Sequence, residues 1–382
     1  VKINFKPESH AEGTATYFRE YLREQLKPII KKIEEEKGEE IDLYTAGLKI
    51  YTTVDSRMQQ YAEEAVEEHL SNLQPEFNRR QKNNPTAPFL DITPEETQKI
   101  MNSAMKNSER WRIMSINGKS DAEIKQSFEV PAKMKIFTWK GERDTIMKPK
   151  DSILYYKHFL QTGMMAMEPQ TGHVKAWVGG INYKYFQYDH VGQGARQVGS
   201  TFKPFVYATA IDRLGKSPCD MIMDAPFTIL KGDNNDKDWS PNNSDGKFRG
   251  LVSMKKALAN SINTVSARLI HEIGAPAVVE MTKNLGVTSD IPNRPAIALG
   301  AVEITVEEMV AAFSTFANEG VYIKPQLITR IEDKNGVVIY QGVEESHDVV
   351  NKDVAYSIIK LMEGVTESGT GSRLRWAASA PS

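Results

Sequence analysis

The sequence predicts an α+β fold in which an antiparallel sheet carries helical layers. Two hairpin patterns, at 164–178 and 326–340, flank a series of separate helical patterns that begins at Ser200 and ends at 319. Strands gathered at the edges, with helices between them, favour antiparallel pairing over the strict alternation of a parallel sheet.

The elements follow in order. Residues 15–37 place Tyr17, Tyr21, Leu22, Leu26, Ile29, Ile30 and Ile33 at helical spacing, with Pro28 as a kink and Gly38 as the stop. Residues 47–54 alternate like a half-buried strand. Asp55 can then cap a helix whose expected apolar stripe is Met58, Tyr61, Ala62, Ala65 and Val66. Between 73 and 150 the character changes. Asn, Lys, Gln and Pro cluster at 78–87, helical patterns cover 94–110 and 120–127, and residues 134–139 lead into a turn at Lys140-Gly141. This stretch reads as an inserted module.

The first hairpin turns at Pro169-Gln170-Thr171-Gly172. An aromatic and glycine-rich loop follows at 181–199, where Tyr183, Tyr185, Phe186 and Tyr188 either line a cleft or pack beneath the loop. Helical patterns then cover 251–260, 264–273, 276–285 and 305–319, the last with Thr305 and Glu308 as a capping box. The final hairpin turns at Lys334-Asn335-Gly336.

Composition narrows the function. The 382 residues suffice for two or three domains, and a net charge of −2 with dispersed basic residues gives no case for nucleic acid. A single cysteine, Cys219, excludes an internal disulfide framework. No metal or other cofactor is expected. The histidines lack ligand spacing, and the acidic stretch at 233–238 has Lys237 and Asp238 where a calcium loop needs an oxygen ligand and a glycine. There is no apolar run long enough to span a membrane, and the start at Val1 reads as part of something longer.

The chemistry concentrates at Arg196-Gln197-Val198-Gly199-Ser200-Thr201-Phe202-Lys203-Pro204-Phe205. Pro204 fits only a first helical turn, so Ser200 and Lys203 stand at a helix start on one face. A lysine whose charge is disfavoured by burial can take the proton of a serine nucleophile. Taken alone, such a pair is more often a helix cap followed by a solvated lysine. A second pair, Ser261 and Asn263, would point the same way if the backbone between two helices is extended there. It could relay a proton and hold a carbonyl.

Together these motifs resemble the S-x-x-K and S-x-N signatures of the penicillin-binding proteins, whose third signature is K-[TS]-G. The chain is similar to the transpeptidase portion of class A, 1A-type members over 47–72 and 160–375. Blocks such as Ala166-Met167-Glu168-Pro169-Gln170-Thr171-Gly172, Ser240-Pro241-Asn242-Asn243 and Ala298-Leu299-Gly300-Ala301-Val302-Glu303-Ile304-Thr305 carry the likeness.

The resemblance implies a penicillin-binding/serine β-lactamase-like transpeptidase fold, incomplete at its C-terminus. Residues 1–46 would be a linker after a glycosyltransferase domain that this sequence does not contain, and 47–72 the opening of the transpeptidase domain. The module would occupy 73–150, and 151–382 the rest of that domain, stopping before K-[TS]-G. Thr370-Gly371 is not that triad, since no lysine precedes it.

By the same resemblance, Ser200 is the nucleophile, Lys203 its base, Ser261 a proton relay and Asn263 a binder of the donor amide. Trp239 and Asn242 border the substrate cleft. The implied partners are peptidoglycan stem peptides ending in D-Ala-D-Ala, amine acceptors and β-lactams. The parent would be anchored in the bacterial cytoplasmic membrane and act on its periplasmic face. A chain lacking the third signature is expected to be an impaired catalyst. Two alternatives remain, a non-catalytic scaffold of the same fold and a serine β-lactamase or β-lactam sensor.

Overall fold

The computed structural model describes residues 13–232 and 236–377. The start of the expected linker, half of the acidic stretch at 233–238 and residues 378–382 lie outside the described residues. Two compact units emerge. One comprises the chain up to Gln59, Gly163–Gly179 and everything from Tyr188 onward; the other comprises Gln60–Thr162 and Gly180–Gln187.

In the larger unit, Lys49–Thr52 pairs antiparallel with Ile328–Glu332, which pairs in turn with Val338–Gln341. The hairpin of Met164–Met167 and Val174–Val178 is the expected one. It meets the segment ahead of Ile328 through Val174 N–H donating to Gln326 O (3.1 Å) and Gln326 N–H donating to Gly172 O (2.8 Å). The Thr53 hydroxyl lies 2.8 Å from the carbonyl oxygens of both Val174 and Gln326, so it fastens the two together.

Behind the sheet the core forms around the helix Lys203–Leu214, buried on every residue from Lys203 to Ile211. The helices Met254–Ala259, Asn263–Ile273, Val306–Ala317 and Lys352–Glu367 supply its apolar neighbours. A helix apolar all round belongs inside a layered core rather than at its surface.

The helix Thr16–Lys37 ends at Gly38 as expected, but it is no open connector. Its Tyr17, Phe18, Leu22, Leu26, Ile30 and Ile33 are buried. The Tyr21 ring stacks on Trp177 at 4.3 Å, and its hydroxyl donates to Glu307 Oε2 at 2.7 Å. Trp177 in turn donates Nε1–H to Asp189 Oδ2 at 2.9 Å. The helical part of the expected linker therefore packs into the larger unit through this face.

Two other expectations change. Asp55 does cap the helix Ser56–Gln81, accepting from Arg57 N and Met58 N. The buried stripe of that helix, however, is Gln59, Ala62, Val66 and Leu70, while Met58, Tyr61 and Ala65 are exposed. The cause is polar. The Gln59 amide pairs with both the N–H and the C=O of Trp177 (2.7 and 2.9 Å), placing a glutamine where an apolar pattern is sought. Farther on, residues 250–253 form a strand paired with Met221–Asp224 rather than a helix. Ser253 ends that strand by capping the next helix through Lys256 N–H.

The smaller unit holds the helices Pro94–Lys106, Glu109–Ile116 and Asp121–Ser127, capped by Thr93, Ser108 and Ser120. Ser108 splits the helix expected over 94–110 into two. The hairpin Ala132–Ile136/Arg143–Met147 follows as expected. Tyr185 and Phe186 join Phe137, Tyr156 and Phe159 in an aromatic cluster, so these two loop aromatics pack. The expected module limits at 73 and 150 fall inside the helices Ser56–Gln81 and Pro149–Lys157, and the smaller unit begins at Gln60, within the first of these. Among the described residues no helix is long and apolar enough to cross a membrane.

Glu308 gives this fold a testable feature. Its carboxylate accepts from Thr288, Ser289 and the N-cap residue Thr305. Burial works against its charge, but these donors outweigh it and hold the carboxyl down at about 2. A depressed carboxyl contributes stability above its unfolded value, near 4.5, and loses it as pH falls through the folded value. Glu308→Ala should cost about 1–2 kcal/mol at pH 7 in urea unfolding, with the gap to the parent narrowing below pH 5. A pH-independent gap would show that the carboxylate's charge is not what matters.

Candidate active site

Ser200 lies on a 3-10 turn, Gly199–Phe202, that runs directly into the helix Lys203–Leu214. Its side chain is exposed, while Phe202 and Phe205 beside it are fully buried and meet edge to face at 5.3 Å. The turn is held from behind. Arg196 and Gln197 pair with Ile304 and Glu303, Val198 N–H donates to Val302 O, and Gly199 N–H donates to Gly300 O at 3.1 Å. Gly199 has φ +55° and Gly300 φ +74°, and a Cβ on Gly300 would run into the Gly199 carbonyl. Gly300 is thus required for the close approach that fixes the serine's backbone, and Gly199 is favoured there by its left-handed φ.

Lys203 is 1 % exposed. Its ammonium donates to Ser261 O (2.6 Å), Ser261 Oγ (2.9 Å) and Asn263 Oδ1 (2.7 Å). Those are all the donors a lysine has, and Ser200 is not among its acceptors. Burial pushes the amine down from 10.5 to about 8. At pH 7 that leaves about a tenth of the lysines neutral, against roughly one in three thousand for an unperturbed one. Burial thus leaves an amine beside Ser261 and Asn263 that gives up its proton more readily than a surface lysine.

Ser261 reaches Lys203 by a backbone route the sequence did not suggest. The residue is not extended; it has φ +54°. The helix Met254–Ala259 ends with Ser261 N–H bonded to Leu258 O and Ile262 N–H bonded to Ala257 O, both at 2.9 Å. That is a Schellman ending with serine in the left-handed position usually given to glycine. Gly369 and Thr370 brace the same corner, Thr370 N–H donating to Ala259 O.

Asn263 begins the next helix. Its Nδ2 donates to Asn242 O at 2.8 Å, which turns its Oδ1 toward the lysine. Ser261, Asn263 and Lys203 therefore converge as expected. Asn242 is joined to them through its backbone, with its side chain exposed. Trp239 stands three residues earlier, half-buried, its backbone bridged to Ile229 and its ring against the main core. Sequence reasoning had no role for Asn243, Asp224 or Gly300. The first and last lay within blocks already noted, but their contacts join residues far apart in the chain.

Residues 162–380 match the family described as penicillin binding protein transpeptidase domain, and residues 84–160 the penicillin-binding protein middle domain. The first match covers more than half of the chain, which belongs to the penicillin-binding protein transpeptidase family. Its relatives include the penicillin-binding protein 1A of Rickettsia bellii, 28% identical over 403 residues, and that of Neisseria flavescens, 29% identical over 390. Both alignments cover 94% of this chain, but 49% and 47% of those proteins. The chain thus spans about half the length of the curated relatives it matches.

Among solved structures, penicillin-binding protein 1A from Haemophilus influenzae superposes with a TM-score of 0.66 at 20% identity, covering 96% of this chain and 61% of that one. PonA1 from Mycobacterium tuberculosis gives 0.54 at 19%, covering 88% and 68%. The expected α+β transpeptidase fold is borne out.

The left-handed serine makes a prediction. Ser261→Gly and Ser261→Ala both remove the hydroxyl, but only alanine keeps the backbone strain. The glycine variant should be more stable by about 1 kcal/mol, while both slow acylation by a fluorescent penicillin. Equal melting temperatures for the two would contradict the backbone conformation described.

Proposed function

We propose that this chain is the catalytic part of a peptidoglycan D,D-transpeptidase that works through a serine acyl-enzyme. The observation that carries the reading is the buried Lys203 amine, held on Ser261 and Asn263 one turn after an exposed Ser200.

Ser200 Oγ attacks the carbonyl between the two terminal D-alanines of a stem peptide. An ester bond forms, the C–N bond breaks, and the serine proton passes through Lys203 and Ser261 to the departing amine. In the second half an amine from a neighbouring strand forms a new amide, the ester breaks, and its proton returns to Ser200. Dividing the exchange into two acyl transfers is the contribution of the covalent serine, and a positioned acid–base partner typically adds 10²–10⁴-fold. Asn263 orients the donor amide, while Trp239 and Asn242 border its path. β-Lactams would enter as mimics of D-Ala-D-Ala and stall at the ester. The parent protein would sit in the cytoplasmic membrane, facing the periplasm and also carrying a glycosyltransferase domain.

In the full-length protein, Ser200→Ala should abolish covalent labelling by a fluorescent penicillin, read by gel and intact mass. Undiminished labelling would sink the assignment. Rapid hydrolysis of penicillin with turnover would instead indicate a β-lactamase. Because Lys203 must be neutral to accept a proton, the acylation rate constant should rise about tenfold per pH unit below pH 8 and level off above it. A flat profile from pH 6 to 9.5 would remove Lys203 from the role of base.

A further inference from the structure

The helix Asn263–Ile273 has no capping side chain of its own, because Ile262 precedes it. Its cap comes from elsewhere. Asn243 Oδ1 accepts from Asn263 N–H at 2.9 Å and Thr264 N–H at 3.3 Å, two donors that a helix start otherwise leaves orphaned. Asn243 is itself held. Its Nδ2 donates to Asp224 Oδ1 at 2.7 Å and to Lys247 O at 2.8 Å.

Asp224 is completely buried. The Thr264 hydroxyl donates to its Oδ1 at 2.6 Å, Arg249 N–H donates to its Oδ2 at 2.9 Å, and the Arg249 guanidinium lies 3.5 Å away. Burial opposes the charge, but the Thr264, Asn243 and Arg249 donors outweigh it and keep the carboxyl below its ordinary value. A buried carboxylate at a helix start also meets the positive end of that helix. Asp224, Asn243 and Thr264 therefore form a satisfied polar cluster behind Ser261 and Asn263, built from three separate stretches of chain. A network of this kind specifies one geometry when all its members are bonded.

We propose that Asp224, Asn243 and Thr264 are positioning residues for the acylation step. They fix the start of the Asn263 helix, so that Asn263 Oδ1 and the Ser261 hydroxyl stay on the Lys203 amine. None of them touches substrate; they act through Asn263. The inference rests on the transpeptidase reading and adds to it the device that sets the Ser-x-Asn geometry. A misplacement of about 1 Å at a catalytic group can cost on the order of 10²-fold in rate, which gives the scale of the expected effect.

The test uses Thr264→Val, which keeps the volume but removes the hydroxyl, Thr264→Ser, which restores it, and Asn243→Ala. Acylation of the full-length protein by a fluorescent penicillin is resolved into its limiting rate and its half-saturating concentration. Rates are taken per folded molecule, with melting curves recorded alongside. The valine and alanine variants should lose about 10- to 100-fold in limiting rate, with half-saturation little changed and the serine variant close to the parent. The inference is overturned if folded valine and alanine variants acylate at the parental rate, if only half-saturation moves, or if serine is as slow as valine. If the parent and every variant are equally unlabelled, the transpeptidase reading fails and takes this inference with it.

Discussion

The rest of the site depends on one constraint, the burial of the Lys203 amine against three oxygens supplied by a separate helix–turn–helix corner. A charge removed from water must find partners or shed its proton, and here both occur in part. The amine is fully bonded when protonated, and burial pushes it down to about 8. Any change that lets water reach it, or lets the corner drift away, alters both its basicity and its aim.

Two supports hold that arrangement from opposite directions. On the serine side, the paired glycines 199 and 300 and the short ladder at 196–197 lock an exposed hydroxyl onto the mouth of a helix buried from Lys203 to Ile211. On the other side, a serine occupies the left-handed end of the helix Met254–Ala259, and a remote asparagine caps the next helix. Each choice departs from what local stability favours, glycine at the left-handed position and a self-supplied cap. Such departures are characteristic of functional sites, where surrounding structure holds strained residues in place.

Much of this was legible in the sequence. The hairpins at 164–178 and 326–340 announced themselves through turn residues, and the capping box of Thr305 and Glu308 was found where it was read. Lys203, Ser261 and Asn263, named as candidates from short spacings and a family likeness, do meet in the structure. What stayed hidden was polar and long-range. Gln59 interrupts an apolar stripe because it bonds Trp177, 118 residues away. Asp224 meets Thr264 across 40 residues, and neither carries a local signal of the other. The Ser261 conformation escaped notice because glycine, not serine, is the usual mark of a left-handed helix end.

The central claim concerns a single amine, and it can be observed directly. NMR titration of the lysine side chains, with Lys203 assigned by substitution, reads its protonation without any reaction taking place. A midpoint near pH 8, well separated from the surface lysines, is the expected result. If Lys203 titrates with the others near 10.5, the amine is not buried as described and cannot serve as the base for Ser200.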